Sequence, residues 1–498
     1  MITAPTQSIT ESLAQAPMPQ ADHERKQRMR DAWRSYRGEF ERPLKVARDQ
    51  PDDNVLVNYC GPIVDKGASW LFSQVVKIEA TTDDSLQDFI DGLWGDDDDK
   101  MALLGDGATN GGVCGECFLK LIPAQGQMQY PRIVVLNPEN VRIVTAPDDC
   151  SLTLAYVIEY GAANDIHKRQ IIARNDPDGL AGMAREYDLD DSWTITNYMR
   201  HGSGTQQSNM WIQIGEPEEW NYPFAPVHCC KNLPNPNESW GMPDLTPDLI
   251  DQNKTLIFLL SNLARIIKYH GHPKTWAKGL GASQISIGVD DLIVLASESA
   301  QIGVLTPMEN FDGILKVLGT VMSNIDQQSR IPAVALGRQE VLPRLGPISG
   351  VALSLMFQPL IEKTEVKRRG YGKLIREVTR AALVLAGKVA VEEMENCKIG
   401  LHWQPLLPND NLQSAQEALL LQQLGISMET ILAGMNMNAD DEAEKKSKED
   451  EKQLTAFSRG QGFPPAPPAQ PNQQQQPGQP PAQQPAQESP FMNSGGQK

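Results

Sequence analysis

The stretch Thr246-Pro-Asp-Leu-Ile-Asp-Gln-Asn-Lys-Thr-Leu-Ile-Phe-Leu-Leu-Ser-Asn-Leu-Ala-Arg-Ile-Ile-Lys-Tyr-His-Gly-His-Pro273 carries both ends of a helix in its own sequence. Thr246 suits an N-cap, Pro247 the first helical position and Asp248 the positive end of the helix dipole. Arg265 and Lys268 lie toward the negative end, Gly271 is placed to terminate, and Pro273 follows. A helix of about 24 residues within 247–271 would be about 36 Å long at ~1.5 Å per residue. Leu249, Leu256, Leu260, Leu263 and Ile267 mark one face. Ile257, Phe258, Leu259 and Ile266 extend the apolar surface nearly all the way round, which predicts burial on several sides, in a core or between subunits. The most apolar part, Leu256–Ile267, is too short to span a bilayer and contains Ser261, Asn262 and Arg265.

On the C-terminal side, Lys274–Leu305 is β-prone, with Ile285, Ile287, Val289 and Ile293–Leu295, and a second helix is predicted over Phe311–Asp326. The two helices bracket the β segment like a stalk carrying a tip. A Gly/Pro-rich stretch, Ile331–Gly350, precedes a long helical pattern reaching about Ala386, in which Gly370 and Gly372 are expected bends. A short β-prone run, Lys398–Gln404, leads to a helix at about Asn411–Leu424. Ala439–Lys452 has carboxylates and lysines at the spacing of a solvated helix. From about Ser458 the chain is rich in Pro, Gln and Gly and cannot bury enough surface to fold.

On the N-terminal side, Met29, Trp33, Tyr36, Phe40 and Leu44 predict an amphipathic helix over Ala21–Arg48. A second helix is expected at Asn58–Gln74, a strand at Val75–Ala80, and helix on both sides of the acidic run Asp96–Asp99. Beyond Val113, β-prone runs recur at Cys117–Ile122, Arg132–Leu136, Val141–Val144, Leu152–Tyr160, Trp193–Tyr198 and Met210–Ile214, as in an antiparallel meander. Pro223–Asn237 reads as a loop-rich crossing, and residues 1–20 as a flexible arm. The fold class is α+β, predominantly helical.

Length and composition set outer bounds. The 498 residues, 40 % hydrophobic, suffice for several cores. A formal net charge of −18 disfavours tight, sequence-independent DNA binding, which depends on Lys and Arg neutralising phosphates. It is compatible with a conduit that must not hold on to a polyanion. Met1–Gln20 lacks the basic and apolar regions of a secretory leader, so assembly in a cytoplasm is expected. Seven cysteines in this length do not form a disulfide framework.

Catalytic signatures are sparse. No Gly-x-x-x-x-Gly-Lys-Ser/Thr, His-Glu-x-x-His or Gly-x-Ser-x-Gly motif occurs. Cys114-Gly-Glu-Cys117 with His228, Cys229 and Cys230 could supply zinc or redox ligands, although buried thiols acting as small hydrophobes are the favoured reading. Asp96-Asp-Asp-Asp-Lys100 reads as a solvated turn or helix edge. Lys367-Arg-Arg369 with Lys373 could face DNA or pair with carboxylates across a subunit interface.

Three segments resemble the portal (head-to-tail connector) proteins of long-tailed bacteriophages. The first is Asn58-Tyr-Cys-Gly-Pro-Ile-Val-Asp65. The second runs from Pro226-Val-His-Cys-Cys-Lys-Asn232 through Ser239-Trp-Gly-Met-Pro-Asp-Leu245 into the 247–271 helix. The third runs from Ile331-Pro through Ser349-Gly-Val-Ala-Leu353 to Lys363–Arg369. The likeness covers roughly residues 25–455. It implies a homo-oligomeric ring, usually a dodecamer, around a channel for double-stranded DNA. The implied parts are a wing (21–246), two stem helices (247–271 and 310–329), a β-containing clip (272–309), a tunnel loop (330–350), a long wing helix with its following strand (351–409) and a helical crown (410–457). The cysteines and the long Pro/Gln-rich tail (458–498), disordered by its composition, depart from the family. It places Arg338, Gln339 and Arg344 at the DNA channel and makes Arg265, Lys268, Lys367, Arg368 and Arg369 candidates to face it. Leu256, Leu260, Leu263 and Ile267 become stem packing. The implied partners are a terminase motor and capsid, scaffolding and head-completion proteins at a virion vertex, with no membrane, cofactor, metal or enzymatic activity. A metal-dependent nucleic-acid enzyme and a cellular helical scaffold are the competing classes. Cleavage by the purified protein would favour the first, and absence of a closed ring the second.

Overall fold

The computed structural model describes residues 9–46, 52–81, 83–162, 166–175, 192–201, 210–270, 274–278, 301–305, 312–338, 350–406 and 420–423. The chain divides into two units, Met1–Pro408 and Asn409–Lys498. In the second, residues 420–423 are helical. Most of the expected crown, the charged helix at 439–452, the tail from 458, and Ile285 to Leu295 of the clip lie outside the described residues.

In the first unit the order is α1 (Ile9–Gln15), α2 (Gln20–Tyr36), α3 (Cys60–Leu71), β1 (Lys77–Ala80), α4 (Gln87–Trp94), α5 (Asp97–Cys114), β2 (Glu116–Ile122), β3 (Arg132–Leu136), β4 (Val141–Thr145), β5 (Thr153–Ala162), β6 (Ile166–Arg174), β7 (Trp193–His201), β8 (Ile212–Trp220), β9 (Val227–Lys231), α6 (Pro247–His270), β10 (Lys274–Lys278), β11 (Gln301–Leu305), α7 (Asp312–Ser329), α8 (Gly350–Leu385) and β12 (Ile399–His402). Strands β4 to β8 form a five-stranded antiparallel meander, while β2 lies between β3 and β9 in a separate sheet. β1 pairs with β12, and β10 with β11. Helix outweighs strand, and the mixed α+β class holds.

One core gathers α4, α5, both larger sheets and the C-terminal half of α8, with Phe118, Leu121, Ile158, Ile172, Tyr371 and Ile375 fully buried. A second lies among α2, α3, α6 and α7, around Met29, Ile63, Val64, Leu249, Leu256 and Ile325. α6 ends one residue short of its predicted limit. α2 stops at Tyr36, well before Arg48, because Gly38 takes a positive φ of 76°. Phe40 still packs on the second core.

Other expectations need correction. Part of the presumed flexible arm is helical and docked. In α1, Leu13 and Ala14 are buried against Ala155, Val157 and Ile171 on one face of the meander. Arg169 donates to the Ala14 carbonyl at 2.7 Å, and Gln15 Nε2 to the Trp211 carbonyl at 2.9 Å. Seven residues are too few to display a helical period, and the docking surface is remote in sequence. The supposed loop-rich crossing contains β9, and β6 was missed because its charged start, Ile166-His-Lys-Arg-Gln170, hides the alternation. Gly370 and Gly372 do not interrupt α8. A Cβ at Gly370 would lie 3.1 Å from the Lys231 carbonyl, so this glycine admits the end of β9 against the helix.

Candidate functional site

The residues leading into α6 form the most densely constrained joint in the first unit. The turn from α5 into β2 runs through Gly115, whose φ of 92° suits glycine. There the backbone meets the 239–245 loop directly. A Cβ at Gly241 would stand 2.5 Å from the Gly115 carbonyl oxygen and 2.7 Å from the Lys231 Cβ. Asp244 N–H donates to the Gly112 carbonyl at 2.7 Å, and Asn232 N–H to that of Gly115 at 2.8 Å. Gly241→Ala is therefore expected to lose about 1–3 kcal/mol through overpacking against rigid backbone. An unchanged denaturant midpoint would refute this close approach.

Asp244 lies at the centre. Its side chain has 0 % exposure, yet it faces two ammonium groups of α8: Lys363 at 3.0 Å from Oδ1 and Lys367 at 2.5 Å from Oδ2. Asn232 Nδ2 donates to Asp244 Oδ1 at 3.3 Å, and Tyr371 Oη donates to Asn232 Oδ1 at 3.4 Å. Lys363 also donates to the Ser329 carbonyl at the end of α7, at 2.9 Å. Burial alone would raise the Asp244 carboxyl, but the two cations overcome it and hold the group low. Burial lowers the Lys367 ammonium to about 8; the Lys363 charge adds to the fall and Asp244 opposes it. The network ties the root of α6 to α7 and α8 through groups that cannot be solvated.

Beside it, Glu116 Oε1 accepts from Gly241 N–H at 2.6 Å, and burial pushes this carboxyl up to about 8. The neighbouring thiols are withdrawn from chemistry. Cys117 pairs across the sheet with Cys230, and burial raises both Cys114 and Cys229 to about 12. Among the described residues, no three His, Cys, Asp or Glu side chains are placed to hold a metal ion. No helix among them is long and apolar enough to cross a membrane.

The candidate DNA-facing residues disperse. Lys367 is a correction: it is buried in the subunit and neutralises Asp244, so its charge is not offered to a channel. Arg338 forms an ion pair with Asp326 of α7, and its guanidinium lies 5.6 Å from the Tyr59 ring centroid, so it anchors the chain after α7. Gln339 and Arg344 lie outside the described residues. Arg265 donates to Asp53 at 3.1 Å and to the Lys45 carbonyl at 3.1 Å, and Lys268 lies 3.8 Å from Asp53. Arg368 donates to the Gln404 carbonyl at 3.0 Å and stacks on Trp403, while Arg369 is exposed. Of the four packing residues, Leu256 is buried, Leu260 and Leu263 are half-buried in the second core, and Ile267 is 51 % exposed.

In the sequence Asp244, Lys363, Asn232 and Glu116 stand out only as parts of motifs, and Tyr371 does not stand out at all. A usable signal was present: Lys363 and Lys367 share the helical stripe of Leu360, Tyr371, Leu374 and Val378, where a lysine needs a buried counter-charge.

The chain has no match among curated proteins. Residues 235–456 match the family described as phage portal protein, SPP1 Gp6-like. That span starts just before the Asp244 joint and takes in α6, the β10–β11 hairpin, α7 and α8. Over these residues, a little under half of the chain, it is similar to the phage portal proteins of the SPP1 Gp6-like family.

Proposed function

We propose that the chain is one subunit of a portal ring at a capsid vertex, through which double-stranded DNA is packaged, retained and ejected. One observation carries this reading. α6 and α7 pack side by side and are joined through the β10–β11 hairpin, yet Phe258 (46 %), Ile267 (51 %), Leu315 (54 %) and Val317 (51 %) stay exposed. At about 100° per residue, Phe258 and Ile267 lie about 180° apart around α6, and Leu315 and Val317 about 160° apart around α7. The helix pair is thus apolar on two opposed flanks. A two-fold dimer would cover one patch twice, whereas a head-to-tail ring covers two different patches on every subunit.

In this reading α6 and α7 are the stem, the hairpin opens the clip, and the 330–350 segment lines the channel with Gln339 and Arg344. Arg338 fixes the base of that segment. Such a ring, usually of twelve subunits, would dock a terminase during packaging and head-completion proteins afterwards. Scaffolding and capsid proteins would meet its wing, and assembly would take place in the host cytoplasm. Negative-stain imaging of the purified chain, with its mass in solution, is the direct test. Rings with a central hole are expected. A monodisperse monomer or two-fold dimer at micromolar concentration would count against the assignment.

A further inference from the structure

The 235–241 loop is held by two cations that also lie next to a buried acid. Lys231 sits directly across from Glu116 in the β2–β9 register. Its ammonium donates to the carbonyls of Asn235 at 3.2 Å and Glu238 at 2.5 Å. The Arg25 guanidinium of α2 lies 3.7 Å from the Trp240 ring centroid, gripping the same loop from the other side. Glu116, 1 % exposed, contributes one hydrogen bond, accepted from Gly241. The titratable groups facing it are Lys231, Cys229 and Cys230 of β9, Arg25 of α2, Tyr156 of β5 and Tyr371 of α8.

We infer that Glu116 is a proton-operated latch on the loop leading into α6: when neutral it leaves Lys231 to grip the loop, and when ionised it draws that ammonium off. The geometry sets up this competition for Lys231, whose ammonium has the loop carbonyls and Glu116 as claimants, whereas Arg25 is held in place by Asp22 and the Val141 carbonyl. An ionised Glu116 in this enclosed place needs a counter-charge, and Lys231, across the ladder, reaches it by a side-chain rotation alone. That rotation breaks the bonds to Asn235 and Glu238 and loosens the segment that aims α6. Burial, the main reason the Glu116 carboxyl titrates near 8, places the change just above neutrality. Asp244 does not respond in this range, because two cations hold its carboxyl low. Burial brings the Lys367 ammonium of α8 down to about 8 as well, so Glu116→Gln is the variant that assigns slackening of the loop to Glu116. The latch lies inside the subunit and stands whether or not rings form.

Trp240 fluorescence in the full chain, followed from pH 6 to 9.5, reads the latch, since slackening of the loop moves its ring relative to the Arg25 guanidinium and changes its environment. Wild type is expected to show a transition centred near pH 8 that Trp240→Phe removes. Glu116→Gln, which keeps the acceptor for Gly241 but cannot ionise, is expected to stay at the low-pH signal throughout. Lys231→Met is expected to give the high-pH signal at every pH. A transition that persists in Glu116→Gln, or a flat wild-type profile, overturns the proposal. Should Glu116→Gln fail to fold, hydrogen exchange on wild type decides. Between pH 7 and 9, after correction for intrinsic rates, residues 235–241 should lose roughly tenfold in protection, a fold-change equal to ~1.4 kcal/mol of opening free energy, while 374–384 do not. Equal loss in both segments overturns it.

Discussion

Phe258→Glu combined with Val317→Glu is expected to give a folded chain that forms no rings. In the isolated subunit both side chains are about half exposed, so each substitution should alter stability by no more than about 1 kcal/mol. In a ring the same carboxylates would be enclosed against a neighbour's apolar flank with no cation opposite. An unpaired buried charge costs several kcal/mol, and here the penalty recurs at every contact. Light scattering should report monomer mass, and circular dichroism and the melting temperature should remain close to wild type. Ile267→Glu with Leu315→Glu should behave alike. Rings at wild-type yield from either pair would remove the main support for the stem assignment. Leu263 is a poorer position for this test. It packs in the subunit's own second core, so Leu263→Asp would disturb folding and assembly together.

What could be read from the sequence follows the distance over which each feature is determined. The limits of α6 are legible from Thr246, Pro247 and Gly271, all in or beside the expected helix, and that reading is correct to a residue. Asp96 behaves likewise: its side chain accepts from Asp99 N–H, so the acidic run opens α5 as a capped helix edge. β9 is a contrasting case. Val227-His-Cys-Cys-Lys231 lies between proline-containing loops, and only pairing with β2 makes it a strand. Lys367 is harder still. Beside Arg368 and Arg369 it looks like part of a basic surface, and only Asp244, across the fold, reveals a structural charge. Gly370 suggested a bend because close approach by β9 cannot be seen in the sequence of one helix. Local chemistry thus located α6 and α7, while the joint at the root of α6 is built from long-range contacts.

Removing that joint's central charge should have the largest effect on the subunit itself. Asp244→Asn preserves shape and volume but leaves Lys363 and Lys367, 4 % and 2 % exposed, without a counter-ion. Breaking one side of a buried ion pair typically costs ~3–5 kcal/mol, a large part of the stability of an ordinary domain. The variant is expected to show a strongly lowered denaturation midpoint or to accumulate as insoluble protein. Acid should reproduce part of this in wild type. The folded-state carboxyl is held below its unfolded value of about 3.9, so its contribution is fully present above that pH and is lost as pH falls toward about 2. In Asp244→Asn this component of the acid transition should be missing. The triple variant Asp244→Asn/Lys363→Met/Lys367→Met separates charge from shape. With no ammonium left to compensate, and with side chains of similar length filling the same space, it should recover most of the lost stability. A triple variant as unstable as Asp244→Asn alone would show that the two lysines are not the source of the loss. The joint would then depend on the hydrogen bonds of Asn232 and the backbone of the 239–245 loop.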